Sequence, residues 1–159
     1  MKKTALYAGS FDPFTNGHFD IVKRALSIFD ELRIVIAVSP TKKSFIEKEK
    51  KLELINEIYK DEERIVVDTW DGLLVDYAKT NKVDAIVRGL RPTGDFEFEF
   101  QMASMNRKLN SDLETVFFTT GENLYYISSS LVKEVFNHGG DISKFVPEII
   151  NNELLKRRK

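Results

Sequence analysis

The 159-residue chain has no cysteine, two histidines and four prolines. Without thiols it has no disulfide, no thiolate metal site and no cysteine nucleophile. Two histidines are too few for the usual catalytic zinc centre. No apolar run approaches the roughly 20 residues that span a bilayer, so no membrane partner is expected. Met1-Lys2-Lys3 leads into an apolar stretch too short for a signal peptide, and the expected location is cytoplasmic. An excess of charge of either sign is also missing. Twenty-four Lys and Arg stand against 25 Asp and Glu, a formal net charge of −1. A dedicated nucleic-acid binder usually shows a basic excess, so no nucleic-acid partner is expected. The chain contains no G-x-x-x-x-G-K-[ST] loop and no G-x-G-x-x-G fingerprint. It lacks H-E-x-x-H and the G-x-S-x-G elbow of α/β-hydrolases.

What remains is an ordinary globular composition, 42% apolar and 31% charged, in a length suited to one domain over residues 1–159. Thr4 to Ala8, Leu32 to Val38, Arg64 to Val67, Val83 to Val87 and Leu113 to Phe118 read as buried strands. Helical spacing follows each of them. Ile21, Val22, Ala25, Leu26, Ile28 and Phe29 cover one helix face, and Ile46 to Tyr59 reads as a second helix with Leu52, Ile55 and Ile58 on one face and many Lys and Glu on the other. Gly72 to Lys79 and Ser128 to Phe136 are further helices, and a last one starts near Pro147. The alternation in Asp95-Phe96-Glu97-Phe98-Glu99-Phe100 imitates a strand, but Phe98, Met102, Met105 and Leu109 continue at helical spacing. A helix with Asp95 near its N-cap is therefore predicted. Strands alternating with helices through short loops imply an α/β fold: a Rossmann-like domain whose five-stranded parallel sheet has right-handed crossovers and helices on both faces.

In such a sheet the loops at the carboxyl ends of the strands share one edge, where ligands bind. Those loops are residues 9–18, 39–44, 69–72, 88–95 and 119–130. The first is Gly9-Ser10-Phe11-Asp12-Pro13-Phe14-Thr15-Asn16-Gly17-His18. Gly9 permits close approach to the backbone, and Asn16 is a good N-cap that would set His18 in the first helical turn. A helix N-terminus attracts phosphate. Lys42, Lys43, Arg88, Arg91 and the serines 128–130 join the same edge, with Lys133 expected in the first turn of the last-loop helix. Each feature also has a plain structural account. The lysines can line a solvated loop, the arginines can pair with Asp95, Glu97 or Glu99, and the serines can cap a helix. Their gathering in a chain that is not basic overall points to a polyphosphate site, with room for two phosphate-bearing ligands. His138, beside Gly139-Gly140, suits a helix end, and the basic tail Lys156–Lys159 is expected to fray into solvent.

Tyr7–Pro13, Thr15-Asn16-Gly17-His18, Ser39–Lys43, Arg88-Gly89-Leu90-Arg91 and Ile127–Val135 together resemble bacterial phosphopantetheine adenylyltransferases, colinearly over essentially the whole chain. Thr-Asn-Gly-His alone marks only the wider nucleotidylyltransferase superfamily. The resemblance implies attack of the 4′-phosphate of phosphopantetheine on the α-phosphate of ATP, giving dephospho-CoA and pyrophosphate, the penultimate step of coenzyme A synthesis. It implies that His18 stabilises the transition state, and that Ser10 and Lys42 orient the acceptor phosphate. Gly9, Ser10, Phe11, His18, Gly89, Arg91, Glu99, Tyr125, Ile127, Ser128, Ser129 and Ser130 would bind ATP. Ser10, Lys42, Leu73, Leu74, Arg88, Met105 and Asn106 would bind phosphopantetheine. Mg²⁺ would arrive on the ATP phosphates, with no metal ligand from the protein, and six copies would assemble. The Phe-rich 96–100 segment could supply contact surface or core. Three positions depart from the family pattern: Ser10 where Thr is commoner, Leu124 where an aromatic is expected near adenine, and Phe98 in place of Tyr. Two rival readings remain: adenylylation of another phosphate monoester, such as nicotinamide mononucleotide or glycerol phosphate, and a nucleotide sensor without chemistry.

Overall fold

The computed structural model describes residues 2–38, 43–92 and 94–158. In chain order the elements are β1 (Thr4–Gly9), α1 (Asn16–Ala25), β2 (Glu31–Ala37), α2 (Lys48–Ile58), β3 (Ile65–Trp70), α3 (Leu74–Thr80), β4 (Ala85–Leu90), α4 (Asp95–Leu109), β5 (Glu114–Thr119), α5 (Ser129–Asn137) and α6 (Glu148–Leu155). A 3₁₀ turn, Lys156–Arg158, follows. The strands form one sheet in the order β3-β2-β1-β4-β5, every neighbouring pair parallel. β1 is the central strand because its residues can be buried on both faces. Its odd and even side chains enter different cores, as the two-residue period of a strand requires. Ala5 and Tyr7 join a core with Ile21 and Val22 of α1, Ile55 of α2, Val132 of α5 and Ile150 of α6. Leu6 and Ala8 join a second core with Val75 and Tyr77 of α3. The sheet is thus covered by helices on both faces, and the order reverses between β1 and β4. The carboxyl ends of those two strands flank the crevice where such sheets bind ligands.

Several expected boundaries shift, each for a visible reason. β3 continues past Val67 to Trp70, in register with β2 from Leu32↔Ile65 to Ala37↔Trp70. β4 continues to Leu90, so Arg88 and Gly89 stand on a strand and not in a loop. α2 begins at Lys48 instead of Ile46, since the Ile46 amide donates to Asp12 Oδ1 at 2.8 Å. α3 begins at Leu74 instead of Gly72, with the Trp70 indole donating to the Leu73 carbonyl at 2.9 Å. The N-cap of α1 is Thr15, not Asn16. α4 does begin at Asp95 as expected, behind a Gly94 N-cap at φ 72°, while the Asp95 carboxylate turns back to Arg91. Lys133 lies one turn deeper in α5 than expected.

Two surfaces also differ from expectation. α4 buries only Glu99, and Phe96, Phe98 and Phe100 are each more than half exposed, as is Met105. The core account of those rings is therefore wrong for the single chain. The basic tail does not fray over its described length. The Arg158 guanidinium lies 4.2 Å from the Phe136 ring centroid and donates to the Phe136 and Gly140 carbonyls at 2.8 and 2.7 Å. A cation there complements the carboxyl end of α5. No helix among the described residues is long and apolar enough to cross a membrane.

Candidate functional site

A cavity of about 330 Å³ opens at the carboxyl ends of β1 and β4. Its floor is the turn after β1. Gly9 has no Cβ, and one built there would lie 3.2 Å from the Phe11 ring. Phe11 sits at φ 45°, the left-handed region, which is uncommon outside glycine. Its ring packs against Tyr7, Phe14 and His18, with centroids at 5.3, 5.5 and 5.0 Å. This aromatic box leaves His18 half-buried in the first turn of α1, on the cavity wall.

The hydrogen bonds of α1's first turn decide the form of His18. Thr15 N–H donates to His18 Nδ1 at 2.9 Å, and His18 N–H donates to Thr15 Oγ1 at 3.4 Å. This is a capping box in which histidine takes the place of the usual Glu or Gln. Because Nδ1 accepts, the ring proton sits on Nε2. Burial, with Arg91 and Arg88 adding to it, lowers the His18 pKa from 6.5 to about 3. His18 is therefore a neutral imidazole offering an Nε2–H donor in the cavity wall.

The opposite wall is basic but paired. Arg88 donates from Nε and a terminal nitrogen to the two Glu99 oxygens at 2.7 and 2.6 Å, and from the other terminal nitrogen to the Ala8 carbonyl at 2.8 Å. Arg91 grips Asp95 in the same two-pronged way, at 2.8 and 3.0 Å. Its hydrogen bonds hold the Asp95 carboxyl below the usual carboxylate range. Burial pushes the Tyr7 phenol up, Arg88 opposing, so Tyr7 stays protonated at the base of the cavity. Both arginines present remaining N–H groups, since each guanidinium carries five.

The third wall is the start of α5. Ser128 is its N-cap and accepts from Leu131 N–H at 3.1 Å, while the Ser129 hydroxyl donates to the Pro13 carbonyl at 2.8 Å. The Ser129 hydroxyl thus ties the helix end to the first loop, while Ser128 caps the helix itself. The amides of Ser129 and Ser130, first-turn donors, carry the partial positive end of α5, and both residues line the cavity.

Of the expected residues, Gly9, Ser10, Phe11, His18, Arg88, Gly89, Arg91, Glu99, Ile127 and Ser128–Ser130 line this cavity. Leu74 and Asn106 line a smaller cavity of about 80 Å³ on the other side of Arg88 and Glu99, together with Phe98 and Met102. The Arg88–Glu99 pair is the partition between the two. Tyr125, Leu73 and Met105 line neither and are exposed. Lys42 lies outside the described residues. Thr15 and Asp95 were missed as cavity residues. Thr15 could have been found from its place three residues before His18, the spacing of a capping box.

Residues 6–135 match the cytidylyltransferase-like family. A phosphopantetheine adenylyltransferase of Desulfatibacillum aliphaticivorans is 45% identical over 159 residues, covering 100% of this chain and 91% of the relative. One from Caldanaerobacter subterraneus subsp. tengcongensis is 46% identical over 157 residues, covering 99% and 98%. A solved structure described as a putative nicotinate-nucleotide adenylyltransferase from Vibrio parahaemolyticus superposes with a TM-score of 0.66 at 19% identity, covering 98% of this chain and 99% of that one. At that identity the likeness is one of fold.

Proposed function

The chain belongs to the phosphopantetheine adenylyltransferase family, and from that premise we propose how its cavity carries out adenylyl transfer from ATP to 4′-phosphopantetheine, giving dephospho-CoA and pyrophosphate. The acceptor is a phosphate monoester with a second pKa near ~6, already ionised at neutral pH. No general base is required, and His18, neutral with its proton on Nε2, is set up to donate and not to accept. The difficulty is to hold two polyanions in line and to offset charge on the transferring phosphoryl group. His18 Nε2–H does this at the α-phosphate. Arg91 and the amide end of α5 bind the β- and γ-phosphates, and the leaving pyrophosphate departs toward them. Gly9 and Phe11 lie against the nucleotide. Ser10 orients the acceptor phosphate together with Lys42. Arg88 faces both cavities, so the acceptor phosphate meets it on one side while the pantetheine arm runs past Leu74 and Asn106 on the other.

Mg²⁺ fits this site as a passenger on ATP. Asp95 and Glu99, the carboxylates of the main cavity, are already committed to arginines. Among the described residues no cluster of three or more His, Asp or Glu gathers to hold an ion. Mg²⁺ keeps several waters and binds readily through substrate phosphates, where it would neutralise charge. The whole chain works as one unit in the cytoplasm, and the exposed rings of α4 form part of the contact between copies of a homohexamer.

The observation that carries this reading is the neutral, N-terminally capped His18 facing paired arginines across a β1/β4 crevice. The test is mass spectrometry of products from ATP and Mg²⁺ with 4′-phosphopantetheine, nicotinamide mononucleotide or glycerol phosphate. Dephospho-CoA from the first alone is the expected result. An adenylylated product from either of the others alone would overturn the acceptor and leave the mechanism standing.

A further inference from the structure

Beneath the Ser10 turn, on the side away from the cavity, lies a buried ammonium that the reaction as described does not use. Lys51, on α2, is 5% exposed. Lysine is rarely buried to this degree unless paired. Its Nζ donates to the Ser10 carbonyl at 3.0 Å and stands 3.9 Å from Asp12 Oδ1. Asp12 is itself buried. Its two oxygens accept from the Phe45 and Ile46 amides at 2.8 Å each, and the Lys133 ammonium lies 3.9 Å from Oδ2. One carboxylate thus ties the β2–α2 connection to the β1–α1 turn, with cations on both sides.

The atom that Lys51 holds is the informative one. In a planar trans peptide the carbonyl and the following N–H point in opposite directions. Drawing the Ser10 carbonyl toward α2 turns the Phe11 N–H toward the cavity. That amide has no hydrogen-bond partner among the described residues. Phe11 also holds the left-handed φ of 45°, a conformation that persists only where its surroundings over-determine it. The aromatic box fixes its ring, and Lys51 fixes the peptide before it.

We infer that Lys51 is a positioning residue for adenylyl transfer, holding the Ser10–Phe11 peptide so that the Phe11 N–H donates to a phosphate oxygen of bound ATP. The inference rests on the reaction proposed above. Lys51 touches neither substrate and acts through the turn. Burial draws its pKa below the ordinary lysine value, with Asp12 opposing.

The experiment combines kinetics with an amide probe. Protein labelled with ¹⁵N-phenylalanine is titrated with ATP and Mg²⁺, and the Phe11 amide resonance is followed in the wild type and in Lys51→Met. Steady-state kcat and KM are measured for both proteins and for Lys51→Arg, below their unfolding temperatures. The wild-type Phe11 amide should shift on ATP binding, and that shift should be lost in Lys51→Met. kcat/KM for ATP should fall roughly tenfold to a hundredfold, the scale of a misplaced contact, and Lys51→Arg should recover most of it. If Lys51→Met does not fold because Asp12 is left exposed to only one cation, Asp12→Asn/Lys51→Met removes both charges and is put to the same two measurements. A Phe11 amide that ATP leaves unmoved in the wild type overturns the inference. So does a Lys51 variant that melts lower yet keeps wild-type kinetics and the same amide shift, since that is a stabilising pair and nothing more. A wild type that makes no dephospho-CoA while ATP still moves the Phe11 amide in a Lys51-dependent way would refute the acceptor and not this role.

Discussion

His18 is held neutral by its surroundings, and that has a cost that pH can reveal. In the unfolded chain its imidazole titrates at 6.5, and in the folded chain at about 3. Above pH 6.5 both states are neutral and His18 adds no pH dependence. Between 6.5 and about 3 only the unfolded chain takes up a proton, so folding stability falls as pH falls. One pKa unit corresponds to about 1.4 kcal/mol, so the loss from His18 alone is about 2 kcal/mol at pH 5. His18→Asn isolates it. An Asn Oδ1 stands where Nδ1 stood and can accept from Thr15 N–H, which keeps the cap while removing the Nε2 donor and the titration. The stability difference between wild type and His18→Asn should change in favour of the variant by about 2 kcal/mol from pH 7 to pH 5 in denaturant titrations. The direct assay is imidazole ¹⁵N NMR. With only two histidines in the chain, His138→Gln leaves a single ring in the spectrum. The account requires an Nε2–H tautomer that does not titrate between pH 5 and 8. A midpoint near 6.5, or a proton on Nδ1, would show that the fold does not hold His18 as a neutral Nε2–H donor.

Other perturbations test other parts. Glu99→Gln leaves the partly buried Arg88 guanidinium without its carboxylate, and should cost about 2 kcal/mol of stability; Arg88→Met/Glu99→Gln should recover part of it in thermal melts. At Gly9 a Cβ would press within 3.2 Å of the Phe11 ring, so Gly9→Ala should weaken ATP binding several-fold by calorimetry while the fold survives in circular dichroism. Phe98→Asp places a charge on the exposed face of α4 and should dissociate the proposed hexamer of 18.4 kDa chains into smaller species in analytical ultracentrifugation; unchanged sedimentation would remove α4 from the proposed interface. Arg158→Ala removes a cation from the carboxyl end of α5 and should lower stability by about 1 kcal/mol, read as a small drop in Tm.

Much of this architecture could be read from local pattern. Buried parallel strands are near-continuous apolar runs, so all five were visible, and the helical period of Phe98, Met102, Met105 and Leu109 identified α4 despite its alternating start. The same period says nothing about burial. Leu54 and Ile55 of α2 are covered within the chain, whereas the α4 residues face outward, and no helical spacing distinguishes a core from a contact between copies. The ends of elements were set by long-range partners that sequence spacing does not announce. Asp12 stops α2 from starting at Ile46 across 34 residues, and Trp70 helps fix the start of α3. At the site, residue types were legible and their partners were not. Arg88 and Arg91 were expected both as phosphate ligands and as members of ion pairs. They are paired and stand on the cavity wall, so the ion-pair expectation holds and leaves room for the proposed phosphate contacts. The tautomer of His18 required knowing that Thr15, not Asn16, caps α1. Lys51 looked like one more solvated charge in Lys48-Glu49-Lys50-Lys51, and only the fold shows that it alone of the four is buried.

In the adenylyl transfer proposed for this cavity, His18 acts in the transition state and not in ground-state binding. The most direct measurement is pyrophosphate release from ATP and Mg²⁺, with and without 4′-phosphopantetheine, for the wild type and His18→Asn, alongside the ATP dissociation constant of each. Release should require phosphopantetheine, kcat should fall by at least about a hundredfold in the variant, and ATP affinity should stay within a few-fold of wild type. Release independent of the acceptor, or a variant that turns over at the wild-type rate, would contradict the proposal.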